Sequence, residues 1–567
     1  MWPNTVYTVD ANCQDCYRCV RVCPVNAIKV SGGQARIVNE LCIQCGTCVR
    51  ECPQSAKIIR SDLDEVKTLM ASGRPIAASI APSFAAWLGS SLRRRLPSVL
   101  RRIGFRYVAE TAEGAKYVAE QSLSKVGQTG NICTACPAAV HYIEKYRPEM
   151  LPNLIPVVSP MIAHGRMLKE RYPGCAVVFI GPCAAKKEEI LRAENDGAVD
   201  VVLTFGELEQ WIAEEGLSLE YCAESGFDSN FIIGDARLFP LEGGMLKTGG
   251  MECEIADTKC LRLSGVHEII SLFDDYESIN NTDWIEPLFC KGGCIAGPVF
   301  KNEKTLLERR RNVIDFWKCS KKSAFAAEFP AVIHSADFTS KSGELEMVSE
   351  SRIQKILEQT GKIDPSLQLN CGACGYKSCE ENAIAIARGM AEPEMCIPYM
   401  RRLAQQRTDR IIDTTPNGIV ILDCDLRMIQ MNPSFQKMFM CNNGILGRRI
   451  SYLVNAEGYE ALQSGAQEQW EAIRTKYSIR YHEILYRLRE EGQYVGIYTD
   501  ISKLKFDSQQ LDVIKAQTVH HAKEFLDHQI KFAQEMAHYL GKSTAQSEEI
   551  AKRLIGLYEN EAPEAER

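Results

Sequence analysis

The 567-residue chain has no uninterrupted apolar stretch of the length a membrane helix needs, which argues against a helical span and a membrane partner. Its start, Met1-Trp2-Pro3-Asn4, lacks a basic segment followed by an apolar one, so no secretory leader is expected and the protein is expected in the cytoplasm. Excess positive charge is missing too. With 66 Lys and Arg against 73 Asp and Glu, the net charge of −7 argues against a general nucleic-acid binder. The runs Arg93-Arg94-Arg95 and Arg309-Arg310-Arg311 accordingly read as solvated helix faces. No ATP-binding domain follows His520-His521, so these are read as polar helix residues and not as phospho-acceptors. Ordinary composition, 45% hydrophobic and 25% charged, excludes chain-wide disorder. At ~150 residues per domain the length suggests roughly three or four domains.

Cysteine is abundant: 24 residues, in a compartment expected to keep thiols reduced, point to metal ligation and not to disulfides. Eight precede residue 55, a looser set runs from Cys133 to Cys319, four lie between Cys371 and Cys396, and Cys424 and Cys441 come last. The first eight are an internal repeat. Cys13, Cys16, Cys19 and Cys23 recur 29 residues later as Cys42, Cys45, Cys48 and Cys52, and each set ends in Cys-Pro. A short cysteine loop running into a helix is expected in both halves.

This Cys-x2-Cys-x2-Cys-x3-Cys-Pro run is that of bacterial two-cluster ferredoxins. Three close thiolates hold one cubane and the fourth cysteine ligates the other. One 4Fe–4S cluster is thus expected on Cys13, Cys16, Cys19 and Cys52, and a second on Cys42, Cys45, Cys48 and Cys23. Thiolate tetrads also hold zinc, but the duplication and the Cys-Pro endings favour iron–sulfur.

Residues 71–345 read as mixed α/β. Apolar runs at Ile155–Val158, Ala176–Ile180 and Val199–Leu203 suggest buried strands, the first weakened by Pro156, and Ala163–Arg171 has helical periodicity. Thr134-Ala135-Cys136-Pro137, Ser159-Pro160, Gly181-Pro182-Cys183-Ala184-Ala185-Lys186-Lys187-Glu188-Glu189 and Cys290-Lys291-Gly292-Gly293-Cys294 follow the ferredoxin-like repeat in that order. Together they resemble the FeFe-hydrogenase family over about residues 1–300. The resemblance implies an H-cluster, a cubane on Cys136, Cys183, Cys290 and Cys294, with Cys294 bridging to a diiron subsite that carries CO, cyanide and azadithiolate. It implies that Lys186 hydrogen-bonds a cyanide and that Glu189 lies on the proton route. The reaction implied is reversible splitting of dihydrogen into protons and electrons, performed by a cofactor that the protein tunes.

The departures from that family matter as much. Catalytic members read Thr-Ser-Cys-Cys-Pro, and their first cysteine relays the proton; here that position is Ala135. Losing a positioned acid–base group costs about 100- to 10,000-fold in rate. Cys133, two residues earlier, substitutes only if its side chain points the same way. Gly181 and Leu288 replace methionines that precede the ligands, Met161 replaces a glutamine, and Gly297-Pro298 interrupts a glycine triplet. Intact ligands with a degraded proton exit suit sensing better than turnover.

Cys371, Cys374, Cys379 and Cys396 form a compact array in a glycine-rich loop, expected to hold a further 4Fe–4S cluster, and resemble the small iron–sulfur domain found beside redox and corrinoid proteins. Residues 407–502 resemble a PAS domain through Ile419–Asp423, Met431–Phe435, Leu446-Gly447 and Tyr498–Ile501. There the strands Gly418–Leu422 and Tyr494–Tyr498 are expected, with Cys424 and Cys441 as packing residues and no haem. The stripe Val519, Ala522, Leu526, Ile530, Ala533, Ala537 and Leu540 marks a helix with one apolar face, closed by Gly541 and followed by a capping box at Ser543–Gln546.

The expected organisation is multidomain α/β and α+β. A two-cluster ferredoxin domain occupies 1–70, an H-cluster domain 71–345, a four-Cys 4Fe–4S domain 346–402, a PAS domain 403–503 and a helical tail 504–567. The expected function is a sensory FeFe-hydrogenase of low turnover that passes redox state through its clusters to the PAS module. Its partners would be dihydrogen, protons, an unidentified electron donor or acceptor, a signalling protein, and a second copy bound through PAS and tail. The alternatives are an ordinary ferredoxin-linked hydrogenase and a non-catalytic electron-transfer or assembly protein without the diiron subsite. Sixteen of the 24 cysteines are thereby assigned to clusters.

Overall fold

A computed structural model describes residues 4–502 apart from 127, 230–232, 252–258, 276–278, 301–303, 321–331, 344–346, 466 and 489–491. The stripe Val519–Leu540, Gly541 and Ser543–Gln546 lie outside the described residues. The chain divides into two compact units, Met1–Cys396 and Ile397–Arg567.

The two halves of the cysteine repeat fold alike. In each, a cysteine loop turns through a left-handed residue, Tyr17 or Gly46, into a five-residue helix, Arg18–Val22 or Thr47–Glu51. The helix carries the third cysteine and stops at the fourth. At Gly46 an added Cβ would stand 2.5 Å from Pro298 Cγ, so the glycine also lets the following domain close on this loop. Antiparallel pairs, Val6–Thr8 with Lys57–Ile59 and Ile28–Ser31 with Gln34–Ile37, frame the module.

The next segment builds a four-stranded parallel sheet in the order Tyr107–Glu110, Ile76–Ile80, Ala176–Gly181, Val201–Thr204. Ile76–Ile80 and Ala176–Gly181 are buried at every position, as continuous apolar runs must be when both faces of a parallel sheet are covered. A smaller parallel pair, Cys260–Ser264 with Trp284–Leu288, extends through single bridges to Ile132 and from there to Leu154. The expected strand at Ile155–Val158 does not form. Pro156 has no N–H for a ladder, and Val157 keeps only an isolated bridge to Ser335.

The arginine runs are not wholly solvated faces. Arg93 is buried over Phe316 and donates to the Asn312 carbonyl, and Arg309 is buried over Phe300 and donates to the Ile295 carbonyl. A planar guanidinium can lie on a ring while its N–H groups capture carbonyls, which a count of charges does not reveal.

The end of the first unit comprises helices Glu350–Gln359 and Cys379–Ala387, packed on each other and docked on the cysteine-repeat module. Val30 N–H donates to the Met390 carbonyl at 2.9 Å, Gly32 N–H to Glu392 Oε1 at 2.7 Å, and Arg21 Nη1 to the Ala373 carbonyl at 3.2 Å. The second unit opens with helix Ile397–Thr414. Its five-stranded antiparallel sheet runs Met428–Met431, Gly418–Leu422, Gln493–Asp500, Ile479–Leu488, Gln469–Lys476. Phe435, Tyr459, Tyr481 and Tyr498 fill its core, the Tyr459 and Tyr498 hydroxyls 2.9 Å apart. Cys441 packs at the edge of that core, but Cys424 is exposed on the turn after Leu422, so it is no packing residue.

Candidate metal centre

Parallel sheets gather ligands at the carboxyl ends of their strands, and this chain does so four times. Cys183 follows Ala176–Gly181, and Cys290 follows Trp284–Leu288. Cys136 and Ser159 end the extended stretches that bridge alongside, and each caps a helix that opens on proline, Pro137–Tyr146 or Pro160–Arg171. Cys294 returns to the same place through Gly292 and Gly293, both with positive φ. Burial pushes the Cys290 thiol well above its ordinary range, and the thiols of Cys183, Cys294 and Cys136 add to the shift. Cys294 rises for the same reasons, and burial raises Cys183 to about 11. Four half-buried soft donors thus gather in one place.

At Gly293 (φ +91°) an added Cβ would lie 2.3 Å from the Pro240 carbonyl oxygen, which accepts the Cys294 N–H. Gly293→Ala is therefore expected to displace Cys294 and lower bound iron by about one cubane. Iron analysis checks it against Gly216→Ala, a positive-φ control with open space around its Cβ.

The repeat cysteines sort themselves crosswise. Burial raises Cys19 to about 11, with Cys16, Cys13 and Cys52 as its thiol neighbours. Burial likewise raises Cys48, with Cys45, Cys23 and Cys42 as its nearest thiols, and Cys19 beyond. Cys45 feels Cys136, and Cys290 feels Cys45, so the second repeat site abuts the central one. In the last group, Cys374 has Cys396 and Cys371 as thiol neighbours, and the Lys362 ammonium reaches both Cys379 and Cys396. The buried Tyr376 hydroxyl has no hydrogen-bond partner, and the thiols nearest to it electrostatically are Cys374 and Cys23. Among the described residues no three His, Cys, Asp or Glu side chains close on a single ion. All-thiol groups spread around a small volume, with a stranded hydroxyl beside them, fit cubanes, whose thiolates stand at separate corners.

Around the central cysteines, Lys186 Nζ donates to Ser159 Oγ and to Glu189 Oε2, both at 2.8 Å. Glu189, Ser159 and Thr134 line a cavity of about 20 Å³ that reaches Arg192, Glu194 and Asn195. Such a volume suffices for a water molecule. Ala135 is half-buried against the apolar core. The Cys133 thiol is turned onto the thioether of Met245, so it is committed elsewhere.

Glu286 went unnoticed in the sequence, although a single acid in the apolar run Trp284–Leu288 was a signal. It is buried, accepts the Met245 and Leu246 N–H groups at 3.2 and 3.4 Å, and is pushed up to about 7 by burial. It is among the charges felt by Cys133 and Cys294. Lys187 was also passed over. It is enclosed by Asp62 (2.8 Å), Glu207 (3.0 Å) and the Val202 carbonyl (2.8 Å).

Comparison with known proteins divides the chain similarly. Residues 74–298 match the iron-only hydrogenase large subunit, C-terminal domain; residues 5–59 match a 4Fe–4S dicluster domain. Residues 368–398 match a putative Fe–S cluster domain, and residues 406–473 a PAS domain. The cytosolic Fe–S cluster assembly factor NAR1 of Kluyveromyces lactis is 22% identical over 50% of this chain and 78% of its own length. The NADP-reducing hydrogenase subunit HndD of Solidesulfovibrio fructosivorans is 24% identical over 57% of this chain and 62% of its own. A solved variant of the FeFe-hydrogenase HydA1 from Chlamydomonas reinhardtii aligns at 15% identity with TM-score 0.38, covering 50% of this chain and all of that one. The chain therefore combines a ferredoxin-type dicluster domain, an FeFe-hydrogenase-like domain, a small iron–sulfur domain and a PAS domain in one mixed α/β architecture. Among the described residues no helix is long and apolar enough to cross a membrane.

Proposed function

We propose that this protein is a sensory FeFe-hydrogenase, which splits dihydrogen slowly and passes the resulting redox state to its PAS module. One observation carries the reading: four half-buried thiols gather near a buried lysine, while the position that resembles the family's relay cysteine is Ala135. Cys136, Cys183, Cys290 and Cys294 would hold the cubane, with Cys294 as the bridge to a diiron subsite. When bound, that cofactor supplies heterolytic cleavage of dihydrogen. Lys186 contributes a fixed ammonium that Ser159 and Glu189 orient. Glu189 lines the water-sized cavity together with Glu194 and would pass protons outward. Ala135 has no proton to give, and Cys133 faces Met245, so the first transfer is slow.

Electrons would leave through Cys42, Cys45, Cys48 and Cys23, then Cys13, Cys16, Cys19 and Cys52, in the order their mutual proximity suggests. Cys371, Cys374, Cys379 and Cys396 would hold the last cubane, next in sequence to the helix that opens the PAS-containing unit. A signalling protein and a second copy of the chain are the partners this output implies.

The alternative, a non-catalytic assembly protein that never loads diiron, draws support from the likeness to NAR1 and from Lys186 being already satisfied by Ser159 and Glu189. Infrared spectroscopy of protein supplied with the diiron cofactor separates the two. CO and cyanide bands that change reversibly between argon and hydrogen are expected. Their absence, with cubanes loaded, would leave the assembly reading standing.

A further inference from the structure

Residues 332–338 run as an extended strap with alternating side chains. Val332, His334, Ala336 and Phe338 are buried or half-buried, whereas Ile333, Ser335 and Asp337 are exposed. Hydrogen bonds fasten the strap beside Ser159. Val158 N–H donates to the His334 carbonyl at 2.8 Å, Ala336 N–H to the Pro156 carbonyl at 3.3 Å, and Arg166 Nη1 to the Ile333 carbonyl at 2.6 Å. Farther along, Lys341 donates its N–H to the Glu144 carbonyl at 2.8 Å and its ammonium to the Glu144 carboxylate at 3.1 Å. Arg192 joins that carboxylate at 3.2 Å and lies over the Phe338 ring. Ala336 and Phe338 thereby wall the cavity that Ser159, Glu189, Glu194 and Asn195 also line. The strap lies beyond residues 74–298, so this cover is not part of the matched hydrogenase domain.

One atom of the lining calls for a ligand. Asn195 is 4% exposed, and its Nδ2 donates to the Glu189 carbonyl at 3.0 Å. Its Oδ1 is buried and accepts no hydrogen bond from any described residue. A buried amide oxygen left in that state is costly. The buried Ser159 hydroxyl accepts from Lys186 and keeps its own proton to donate. A molecule that donates to Asn195 and accepts from Ser159 meets both needs. Lys186 and Arg192 disfavour a cation there, Glu189 and Glu194 disfavour an anion, and about 20 Å³ admits one water.

Resting on the reading of Glu189 as a proton carrier, we infer that Asn195 holds a water molecule in this cavity, which links Glu189 to Glu194 beneath the strap. Asn195 is a positioning residue, acting through the water. The step balances: the O–H bond of a protonated Glu189 breaks as the water takes that proton, and the water passes one of its own to the Glu194 carboxylate. The water is regenerated and no electron moves. Glu194 is exposed, with Arg192 Nε at 2.7 Å, and releases the proton to solvent. A strap over a single water leaves a proton path without admitting bulk solvent, which would weaken the Lys186–Glu189 ion pair.

Crystals of the full, iron-loaded chain test the site, and the full chain supplied with the diiron cofactor tests its role. One ordered solvent peak within about 3.2 Å of Asn195 Oδ1 is expected. Ala336→Leu, which fills the cavity from the strap side, should abolish that peak. Hydrogen uptake is then compared in the faster of wild type and Ala135→Cys, so that position 135 does not mask the exit. There Ala336→Leu should lower kcat by about tenfold or more, with KM for dihydrogen and the infrared bands unchanged, a split that a distorted site would not give. Asn195→Leu, similar in size but without the oxygen, should act in the same way, and decides if Ala336→Leu does not fold. Ile333→Ser, on the outer face of the strap where Ile333 is 71% exposed, should change neither reading. No solvent peak in well-ordered wild-type crystals, or wild-type kcat in a folded variant that has lost the peak, overturns the inference alone. Infrared bands missing from a chain that does show the peak would remove the hydrogenase reading, and the proton-carrying role with it.

Discussion

Ala135→Cys is expected to raise hydrogen turnover by about 100- to 10,000-fold in protein carrying the diiron cofactor. The side chain at 135 is one residue from Cys136 and follows Thr134, whose hydroxyl is tied to the Val157 carbonyl at 2.6 Å. This fixed backbone lets a thiol at 135 be introduced with little rearrangement. Cys133 cannot stand in for it, because its thiol is turned onto Met245 in the core. Hydrogen uptake with an artificial acceptor measures the effect, and Ala135→Ser serves as the control for side-chain bulk. If Ala135→Cys leaves the rate unchanged at equal iron content and equal infrared band intensity, the missing relay is not what limits this protein.

The second large effect is expected in stability. Lys187→Met should cost about 3–5 kcal/mol, because it leaves a buried charge without its partner. Lys187, Asp62, Glu207 and Arg60 form a closed network of two cations and two anions. Arg60 Nε lies 2.6 Å from Asp62 Oδ1, the Asp62 N–H donates to Glu207 Oε1 at 2.6 Å, and Glu207 also caps the helix Phe205–Glu214 through Thr204. Asp62 lies just beyond the cysteine-repeat module, and Lys187 is adjacent to Lys186, so the network joins the relay module to the central site. Urea denaturation of the full chain gives the magnitude. Adding Glu207→Gln to Lys187→Met should recover part of the loss by removing the excess negative charge, a coupling that a double-mutant cycle isolates. A loss under about 1 kcal/mol would mean that water reaches the network and screens it.

Much of this organisation was legible in the sequence because it is written in spacing. The 29-residue repeat and the Cys371–Cys396 array set out three groups of thiols, whereas Cys136 and Cys183 join the Cys290–Cys294 pair only through the family resemblance. The strands at Ala176, Val201, Gly418 and Gln493 were readable as apolar runs. Local pattern failed where a single residue overrode it. Pro156 removed a ladder donor from an apolar run, and Arg93 and Arg309 found aromatic faces to lie on.

By itself the sequence determined which atoms are available: the thiols, their grouping by short loops, and the methyl group at 135. Contacts between residues far apart in the chain were decided only by the tertiary structure. Lys187 closes on Asp62 and Glu207, Lys186 reaches Ser159, and Glu286 accepts the Met245 N–H. The reason is physical. Ligand spacing is enforced over a few residues by covalent geometry, whereas the partner of a buried charge is chosen by whichever opposite charge or polar group the packed core brings within reach, and no local rule encodes that choice.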